Sequence, residues 1–499
     1  MILELRFDRS RPRTWMERAI RALSKDDTAV QIAWVDDSAP KPAGLDFLFD
    51  LERMLLKRGA VDGSRATSVG VIDRGSSAGQ TADVVIDFSS ELVTPTGLSK
   101  QRFKPLYNGI AGENGLLQAI LDGDLPRIDI VDESRSVVVA SAYPSAEAAQ
   151  GLSGALDTVM ARTITLLSGL LSGGLAVSDQ HVSRRSVDAA EVRSPVPYVL
   201  AGLTRSLARE IYRLCCYSPH WHVGWRMVDG GGVWERGDLS GVAWRVAPDP
   251  GMRFYADPFP MTWQGKTFVF VEELDHRVGK GFISAIEFDQ TGPTAAAMPV
   301  LEESWHLSYP FLMVHDGSLW MIPEGMASHE VALYRCVDFP HRWERHATLL
   351  SNLQLSDATV TEHNGRYYMF GTLWDGAGGY SDTLAIYHAD SLLGPWHPHA
   401  KNPVLIDRSS ARPAGAFVKR GDRLWRPIQD CSEGYGSGLA LAEVVELSPD
   451  AFRQTVHRRL KPSQQWPGRK LHTLNRCGRL EVIDGTTIRP KLFPHLFVK

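Results

Sequence analysis

A weak repeat of about fifty residues in the second half of the chain is the feature that most limits its fold. Five short segments recur in order: Ala256-Asp-Pro-Phe, Ser308-Tyr-Pro-Phe, Ser356-Asp-Ala-Thr, Pro413-Ala-Gly-Ala and Leu471-His-Thr-Leu. Each is followed by a glycine that opens an apolar, strand-like run, such as Gly265-Lys-Thr-Phe-Val-Phe-Val. A period of this length with several short strands indicates a β-propeller, whose blades are small sheets set around an axis.

The repeats predict five blades and a particular closure of the ring. Four blades are complete within the repeated region, and the fifth needs strands from another segment. Gly224-Trp-Arg-Met-Val and Val242-Ala-Trp-Arg-Val are the candidates, because both are apolar and lie just before the first repeat. We therefore predict an all-β five-bladed propeller over residues 221–499.

The residues before the propeller predict a different class of domain. Strand-like runs such as Ile2-Leu-Glu-Leu-Arg-Phe and Ala82-Asp-Val-Val-Ile-Asp-Phe alternate with helical patterns such as Thr14 to Leu23, which favours an α/β domain over residues 1–180. The apolar stretch from Ala155 is interrupted by Asp157 and Arg162, so we expect a buried or amphipathic helix there and no integral membrane segment. Residues 181–220 are predicted to form a linker and a helix.

Composition excludes several classes of function. The chain has 499 residues, 43% of them hydrophobic and 22% charged, as in ordinary globular proteins. Its 54 Lys and Arg nearly balance its 58 Asp and Glu, which argues against nucleic acid as a partner. The five cysteines show no zinc-ligand or redox spacing, and the charged residues Glu4, Arg6 and Asp8 lead us to expect no secretory signal. We expect a cytoplasmic protein with neither a metal nor another cofactor.

The repeat brings distant polar residues together. Equivalent positions of successive inner strands face one central channel, so we expect Asp257, Tyr309, Asp357 and His472 to converge, with Glu324 and the Glu272-Glu273 pair nearby. Paired carboxyl groups suit glycosyl transfer, because one activates the acceptor while another assists the leaving group. Any one of these acids has an alternative role in a turn or an ion pair. Arg412 has two interpretations, as a group that binds phosphate or as a link between two blades.

Six motifs in fixed order carry a resemblance to a known family. They are Tyr255-Ala-Asp-Pro-Phe, His306-Leu-Ser-Tyr-Pro-Phe, Met321-Ile-Pro-Glu, Leu333-Tyr-Arg, Ala411-Arg-Pro-Ala-Gly and Gln429-Asp-Cys. Over residues 220–495 they resemble the N-terminal domain of the plant glucosamine inositol phosphorylceramide transferases and its bacterial relatives. That domain is similar to the five-bladed propellers of glycoside hydrolase family 43.

The resemblance implies roles for individual residues. In the family 43 propellers, an Asp of the first blade is the base, an Asp of the third tunes pKa values and a Glu of the fourth is the acid. Asp257 would then be the base and Asp357 the modulator. The fourth blade has Arg412 where an acid is expected, so a proton must come from Glu324 or Asp430, or the leaving group must be an activated phosphate. Our candidate residues are Asp257, Asp357 and Glu324 for catalysis and Tyr255, Tyr309, Arg412, Asp430, His472 and Trp374 for substrate binding.

Residues 1–180 resemble the formyltransferase fold more faintly. The resemblance is carried by Ala82-Asp-Val-Val-Ile-Asp-Phe, Phe103-Lys-Pro-Leu-Tyr-Asn-Gly and Leu116-Leu-Gln-Ala-Ile-Leu-Asp-Gly-Asp. The family's catalytic His is missing from the matching segment, which implies a non-catalytic module.

For the whole chain we predict a carbohydrate-active enzyme of glycan or glycolipid biosynthesis that transfers a glycosyl group at the axial cavity of the propeller, with a carbohydrate or an activated sugar as its substrate. A furanoside hydrolase and a non-catalytic sugar-binding propeller are the alternatives.

Overall fold

The computed structural model describes residues 1–491 apart from 25–27, 38–41, 43, 57–61, 74–80, 92–100, 124, 174–179, 182–192 and 467. The chain divides into two compact units, one of residues 1–207 with 376–379 and the other of residues 208–375 with 380–499. The boundary falls within a helix, Val196–Cys215, in the segment predicted to contain one. Most of the predicted linker, 182–192, lies outside the described residues.

The first unit is an α/β domain, as its alternating sequence pattern predicts. Its sheet contains β1 (Ile2–Asp8), β2 (Ala29–Val35), β3 (Val84–Asp87), β4 (Gln101–Tyr107), β5 (Ile110–Ala111), β6 (Ile128–Asp132), β7 (Val137–Ala142) and β8 (Gln180–His181). The strand order is β2-β1-β3-β4-β6-β7-β8, with β5 beside β4. The strands from β2 to β4 are parallel, and β6 to β8 continue the sheet in antiparallel pairs. The resemblance to formyltransferases stays a prediction.

Five helices of this unit bury apolar side chains: α1 (Thr14–Leu23), α2 (Leu45–Leu55), α3 (Val69–Ile72), α4 (Gly112–Leu121) and α5 (Gly151–Leu171). They are followed by α6 (Val196–Cys215), which is exposed along most of its length. Helix α5 is buried along most of its length, including Asp157, whose carboxylate accepts hydrogen bonds from Arg18 and from the Gly63 N–H. The prediction of a buried helix is confirmed. Among the described residues, no helix has the length and apolar character needed to cross a bilayer.

The second unit forms five antiparallel sheets, the blades of a propeller. Blade 1 contains β12 (Arg253–Trp263), β13 (Lys266–Asp275), β14 (Lys280–Asp289), β15 (Gly292–Pro293) and β16 (Met298–Leu301). Blade 2 contains β17 (Ser308–His315), β18 (Ser318–Glu324), β19 (Glu330–Asp338) and β20 (Arg342–Ser351). Blade 3 contains β21 (Gln354–His363), β22 (Arg366–Trp374), β23 (Thr383–Ala389), β24 (His397–Pro398) and β25 (Leu405–Ile406). Blade 4 contains β26 (Val418–Arg420), β27 (Arg423–Asp430), β28 (Gly438–Leu447) and β29 (Phe452–Leu460).

Blade 5 is assembled from two separate parts of the chain, as predicted. Strands β30 (Leu474–Cys477) and β31 (Leu480–Thr486) pair with β10 (Trp221–Met227), which pairs with β11 (Arg245–Val246). A four-residue helix, α7 (Val233–Arg236), connects β10 to β11, and β9 (Cys216–Tyr217) pairs with β32 (Arg489–Pro490). The ring is therefore closed by strands from both ends of the propeller sequence. All five cysteines are free.

The glycine of each repeat forms the tight turn after the inner strand. Gly265, Gly317, Gly365, Gly421 and Gly478 have φ between 57 and 77°. A Cβ atom at any of these positions would meet nothing within 4 Å. Glycine is favoured because of this left-handed backbone conformation rather than a lack of space.

Candidate active site

A bulge repeated in three blades turns the predicted residues toward the channel. In blades 1 to 3 the pairing of the inner strand shifts by one residue at Asp257, Tyr309 and Asp357. All three have positive φ, at 50, 43 and 56°, which non-glycine residues seldom adopt. The second residue of the repeated motif is thus held in a strained conformation that re-aims its side chain. Backbone strain of this kind is concentrated at functional sites.

Asp257 lies at the centre of a buried polar cluster. Its carboxylate accepts hydrogen bonds from the Tyr309 N–H at 3.2 Å and the Thr473 hydroxyl at 2.9 Å, and its own N–H donates to Asp484 at 2.9 Å. Burial raises the pKa of Asp257 to about 7, because desolvation and the nearby carboxylates outweigh the opposing effect of His472. The side chain therefore exchanges a proton near neutral pH. We use the name axial cluster for the polar residues that converge around Asp257, which are Glu272, Glu324, Asp357, Arg412, Gln429, His472, Thr473 and Asp484.

His472 joins the axial cluster as the partner of two acids. Its Nδ1 lies 2.6 Å from Asp484 and its Nε2 3.7 Å from Asp257. Burial lowers the pKa of His472, but the charges of Asp484 and Asp257 raise it above its ordinary value overall. The ring stacks on Trp221 with centroids 3.8 Å apart. His472 is thus a cationic channel residue held between carboxylates.

The same three side chains have the donor types of a cation site. Ligand atoms of Asp257, His472 and Asp484 lie within 4.8 Å of one another. Both oxygens of Asp484 already accept hydrogen bonds, from the backbone N–H groups of Asp257, His472 and Thr473. A cation bound here would compete with these internal partners. The expectation of no metal stays a prediction.

Glu324, Asp357 and Arg412 form the neighbouring part of the axial cluster. The carboxyl group of Glu324 is hydrogen-bonded to that of Asp357 and accepts a bond from the Ser308 hydroxyl at 3.1 Å. Burial and the charge of Asp357 raise the pKa of Glu324 to about 8, although Arg412 and His306 oppose the rise. Glu324 therefore carries a proton at neutral pH and is able to donate it.

Arg412 links blade 4 to blade 3. Its Nε donates to Asp357 at 2.6 Å, and its Nη1 donates to the Ser381 hydroxyl at 3.2 Å and the Tyr380 carbonyl at 3.3 Å. The guanidinium group is 4.9 Å from the Tyr435 ring centroid. With its donors directed to protein atoms, Arg412 fits the link between blades better than the phosphate-binding interpretation. Its charge also compensates the buried Asp357.

The last two residues of β27, Gln429 and Asp430, have different surroundings. Gln429 donates to Asp357 at 3.1 Å and belongs to the axial cluster. Asp430, which the sequence analysis selected, pairs with Arg459 at 2.6 Å and accepts a bond from the Ser432 N–H. Successive side chains of a strand point to opposite faces, so these neighbours have different surroundings. The structure thus places Gln429, not Asp430, beside the acids.

The aromatic candidates have different positions. Tyr309 is fully buried; its hydroxyl accepts a bond from the Gly415 N–H at 2.7 Å and lies 2.9 Å from the Thr359 hydroxyl. It joins blade 2 to blades 3 and 4 instead of presenting a surface to a sugar. Tyr255 packs in an apolar cluster with Trp225 and other buried residues, away from the axial cluster. Trp374 lies partly exposed at the end of β22, and its role stays a prediction.

Some members of the cluster were detectable in the repeat. Glu272, Glu324 and Thr372 occupy the same position in three blades, opposite the residue that precedes the bulge. Glu272 lies 3.2 Å from His306 Nε2, and the Gly281 N–H donates to the other ring nitrogen of His306. Asp484 was missed because it is one position out of phase with these residues, although it lies within β31, the second strand of the fifth repeat.

Comparison with known proteins shows which family the propeller resembles. Residues 245–484 match the model of the family described as glucosamine inositolphosphorylceramide transferase 1, N-terminal. The Arabidopsis thaliana protein called glucosamine inositolphosphorylceramide transferase 1 is 32% identical over 229 residues, which cover 44% of this chain and 30% of that protein. The protein of the same name from Oryza sativa subsp. japonica is 28% identical over 249 residues, which cover 47% of this chain and 33% of that protein. The resemblance seen in the motifs is confirmed, and this chain spans about a third of the length of these relatives.

Glycoside hydrolases are among the solved structures that match this chain. A thermostable family-43 glycoside hydrolase has 14% identity and a TM-score of 0.33, covering 43% of this chain and 78% of its own. A family 117 glycoside hydrolase from Zobellia galactanivorans has 11% identity and a TM-score of 0.35, and the match covers 51% of this chain and 78% of that one. These sequence identities and TM-scores are too low to assign a role to any residue of this chain.

Proposed function

We propose that this chain, whose propeller is similar to the N-terminal domain of glucosamine inositolphosphorylceramide transferase 1, transfers a glycosyl group at its axial cluster. The observation that carries the proposal is that Asp257 and Glu324, on adjacent blades, are both desolvated and both lie close enough to Asp357 for its charge to raise their pKa values, which reach about 7 for Asp257 and about 8 for Glu324. At neutral pH a large share of Asp257 is ionised while most of Glu324 is protonated. A base and an acid are therefore available together.

The two carboxyl groups take complementary parts in the proposed reaction. Asp257 accepts the proton of an acceptor hydroxyl as its oxygen bonds to the anomeric carbon of the donor. The bond from that carbon to the leaving group breaks, and Glu324 supplies a proton to the departing oxygen. One proton is taken up and one released, so the cluster keeps its net charge over the cycle. Asp357 keeps the proton on Glu324 through their hydrogen bond, and Arg412 compensates the charge of Asp357.

The names of the relatives suggest a substrate class. They name a transferase together with glucosamine and inositolphosphorylceramide. We propose for this chain an activated sugar donor and a hydroxyl acceptor on a glycan or glycolipid, within the cytoplasm. An activated phosphate leaving group would need less help from Glu324 than a simple alcohol.

The test compares Asp257→Asn with Asp430→Asn, a change to an equally buried acid that pairs with Arg459. Purified proteins are incubated with a panel of activated sugars and glycan or lipid acceptors, and products are identified by mass spectrometry. Asp257→Asn is expected to lower turnover by about 10²–10⁴-fold, the usual contribution of a general base. Asp430→Asn is expected to keep turnover within a few-fold, provided that its melting temperature is close to wild type.

The same assay separates the alternatives. A transferase yields a new glycoside that depends on the acceptor, whereas a hydrolase of furanosides releases free sugar in water. Saturable glycan binding without any product would favour a non-catalytic module. Full turnover by a correctly folded Asp257→Asn variant would refute the assignment of Asp257 as the base.

A further inference from the structure

A second candidate site lies on the other face of the propeller. A groove with a volume of about 190 Å³ runs between blade 4 and the α7 segment of blade 5. Its main lining residues are Trp234, Arg236, Arg420, Trp425, His457 and Arg458. Trp425 lies on β27 four residues before Gln429, or about 13 Å along the strand at 3.3 Å per residue. We call this feature the far-face groove, because it opens at the opposite end of the strand from the axial cluster.

The far-face groove concentrates positive charge. Among the described residues, no carboxylate lies within 4 Å of the guanidinium groups of Arg236, Arg420 or Arg458, although Asp238 is close enough for Arg236 to lower its pKa. Arg236 donates to the Gly231 carbonyl and Arg458 to the His457 carbonyl, so each keeps further N–H groups for other acceptors.

One acid, Glu235, lines the groove and another, Glu443, lies beside it; both are already paired. Glu235 accepts two hydrogen bonds from Arg476 at 3.1 Å. Glu443 lies 3.1 Å from His457 and 3.3 Å from Arg423. The arginines of the groove are therefore not neutralised by these carboxylates, and an anion from solution would reduce their mutual repulsion.

The aromatic side chain of Trp425 lies next to the arginines of the groove. The Trp425 ring is partly exposed, lies 4.7 Å from the His457 ring and has the Arg420 guanidinium 5.3 Å from its centroid. Flat apolar ring faces bind the C–H faces of sugars, while guanidinium groups bind phosphate oxygens through paired hydrogen bonds. One groove thus offers both kinds of contact over a short distance.

We propose that the far-face groove binds a phosphorylated sugar or polyol, with the phosphate on Arg420 and Arg458 and the ring against Trp425. The ligand has two possible sources, a soluble sugar phosphate or the phosphorylated headgroup of a glycolipid. The site is separate from the axial cluster and does not depend on the proposed reaction.

Titration calorimetry on the full chain tests the proposal. Glucose 6-phosphate, inositol phosphate, glucose and inorganic phosphate are the soluble probes. Phosphatidylcholine vesicles with and without phosphatidylinositol are the membrane probes, read by co-sedimentation. We expect saturable binding of at least one phosphorylated ring, with either Arg420→Gln or Arg458→Gln weakening it about tenfold or more. Binding to the soluble probes or to the vesicles identifies the source.

Matched variants make the test specific. Arg453→Gln removes an exposed arginine from the same strand as Arg458, but one that pairs with Glu446 outside the groove, and is expected to bind normally. Trp425→Leu is expected to weaken phosphorylated rings more than inorganic phosphate. Asp257→Asn is expected to bind normally whatever its turnover, which separates this proposal from the proposed reaction. Absence of binding to every probe, or equal weakening by Arg453→Gln, would overturn the assignment.

Discussion

The pH dependence of turnover gives the sharpest test of the two-carboxyl arrangement. If Asp257 must be ionised and Glu324 protonated, pKa values of about 7 and 8 give a bell-shaped profile with its maximum near pH 7.5. The fraction of molecules in the active protonation state is then about 0.6 at the maximum and about 0.03 at pH 5.5 and 9.5. We therefore expect kcat/KM to fall about twentyfold over two pH units on either side of the maximum.

Replacing Glu324 by Gln should change this profile in a defined way. The variant has no proton to lose, so the fall at alkaline pH should disappear while the fall at acidic pH, due to Asp257, remains. With a donor whose leaving group needs protonation, turnover should also drop by about 10²-fold or more, equivalent to about 3 kcal/mol. Initial rates between pH 5 and 10, followed by chromatography of the product, measure both effects. An unchanged alkaline limb in Glu324→Gln would refute the assignment of Glu324 as the acid.

Three further predictions concern stability and binding. Arg412→Met should lower the free energy of unfolding by about 3–5 kcal/mol, measured by urea denaturation, because it leaves Asp357 buried without its cation. Asp257 has a folded pKa of about 7 against an ordinary value of 3.8, so the folded state holds a proton that the unfolded chain releases, and stability falls as the pH rises from about 4 to 7. Asp257→Asn should remove that part of the pH dependence, seen as a higher melting temperature than wild type at pH 8. Tyr309→Phe should cost about 1–3 kcal/mol, because the Gly415 N–H loses its buried acceptor, yet leave KM nearly unchanged.

Controls distinguish these effects from general damage. Arg453→Met, on the surface of blade 4, should change the urea midpoint little. A melting temperature of Asp257→Asn that follows the wild type at every pH would contradict the raised pKa. A large rise in KM for Tyr309→Phe, without loss of stability, would return Tyr309 to the substrate-binding residues.

The architecture of the propeller was accessible from sequence because each blade repeats the same local physics. An inner strand, a glycine with positive φ and a second apolar strand recur at nearly constant spacing, so the number of blades follows from counting. The closing strand was also identifiable, since Trp221–Met227 is an apolar segment without a repeat of its own. The convergence of Asp257, Asp357 and His472 follows from their equivalent positions in the repeat.

Individual contacts were less accessible, because they depend on side-chain direction. Asp430 and Gln429 are adjacent in sequence, but only Gln429 points toward Asp357. Tyr255 was chosen for its place beside Asp257, whereas the bulge that turns Asp257 leaves Tyr255 in the apolar core. Asp484 gave no signal, since it lies within β31 one position out of phase with Glu272 and Glu324. A shift of one residue along a strand decides which face of the sheet a side chain occupies, and the composition of the sequence does not show such a shift.

The way the ring closes has a consequence for the order in which the axial cluster is assembled. The N–H of Asp257 is anchored by Asp484, from β31, which also pairs with β10 from the start of the propeller. During synthesis on the ribosome, blades 1 to 4 emerge before β31 does, so Asp257 lacks its anchor until β31 has left the exit tunnel. Closure of the ring and completion of the axial cluster are thus a single event, and a nascent chain stalled before β31 would be folded in part but would have no Asp484 beside Asp257.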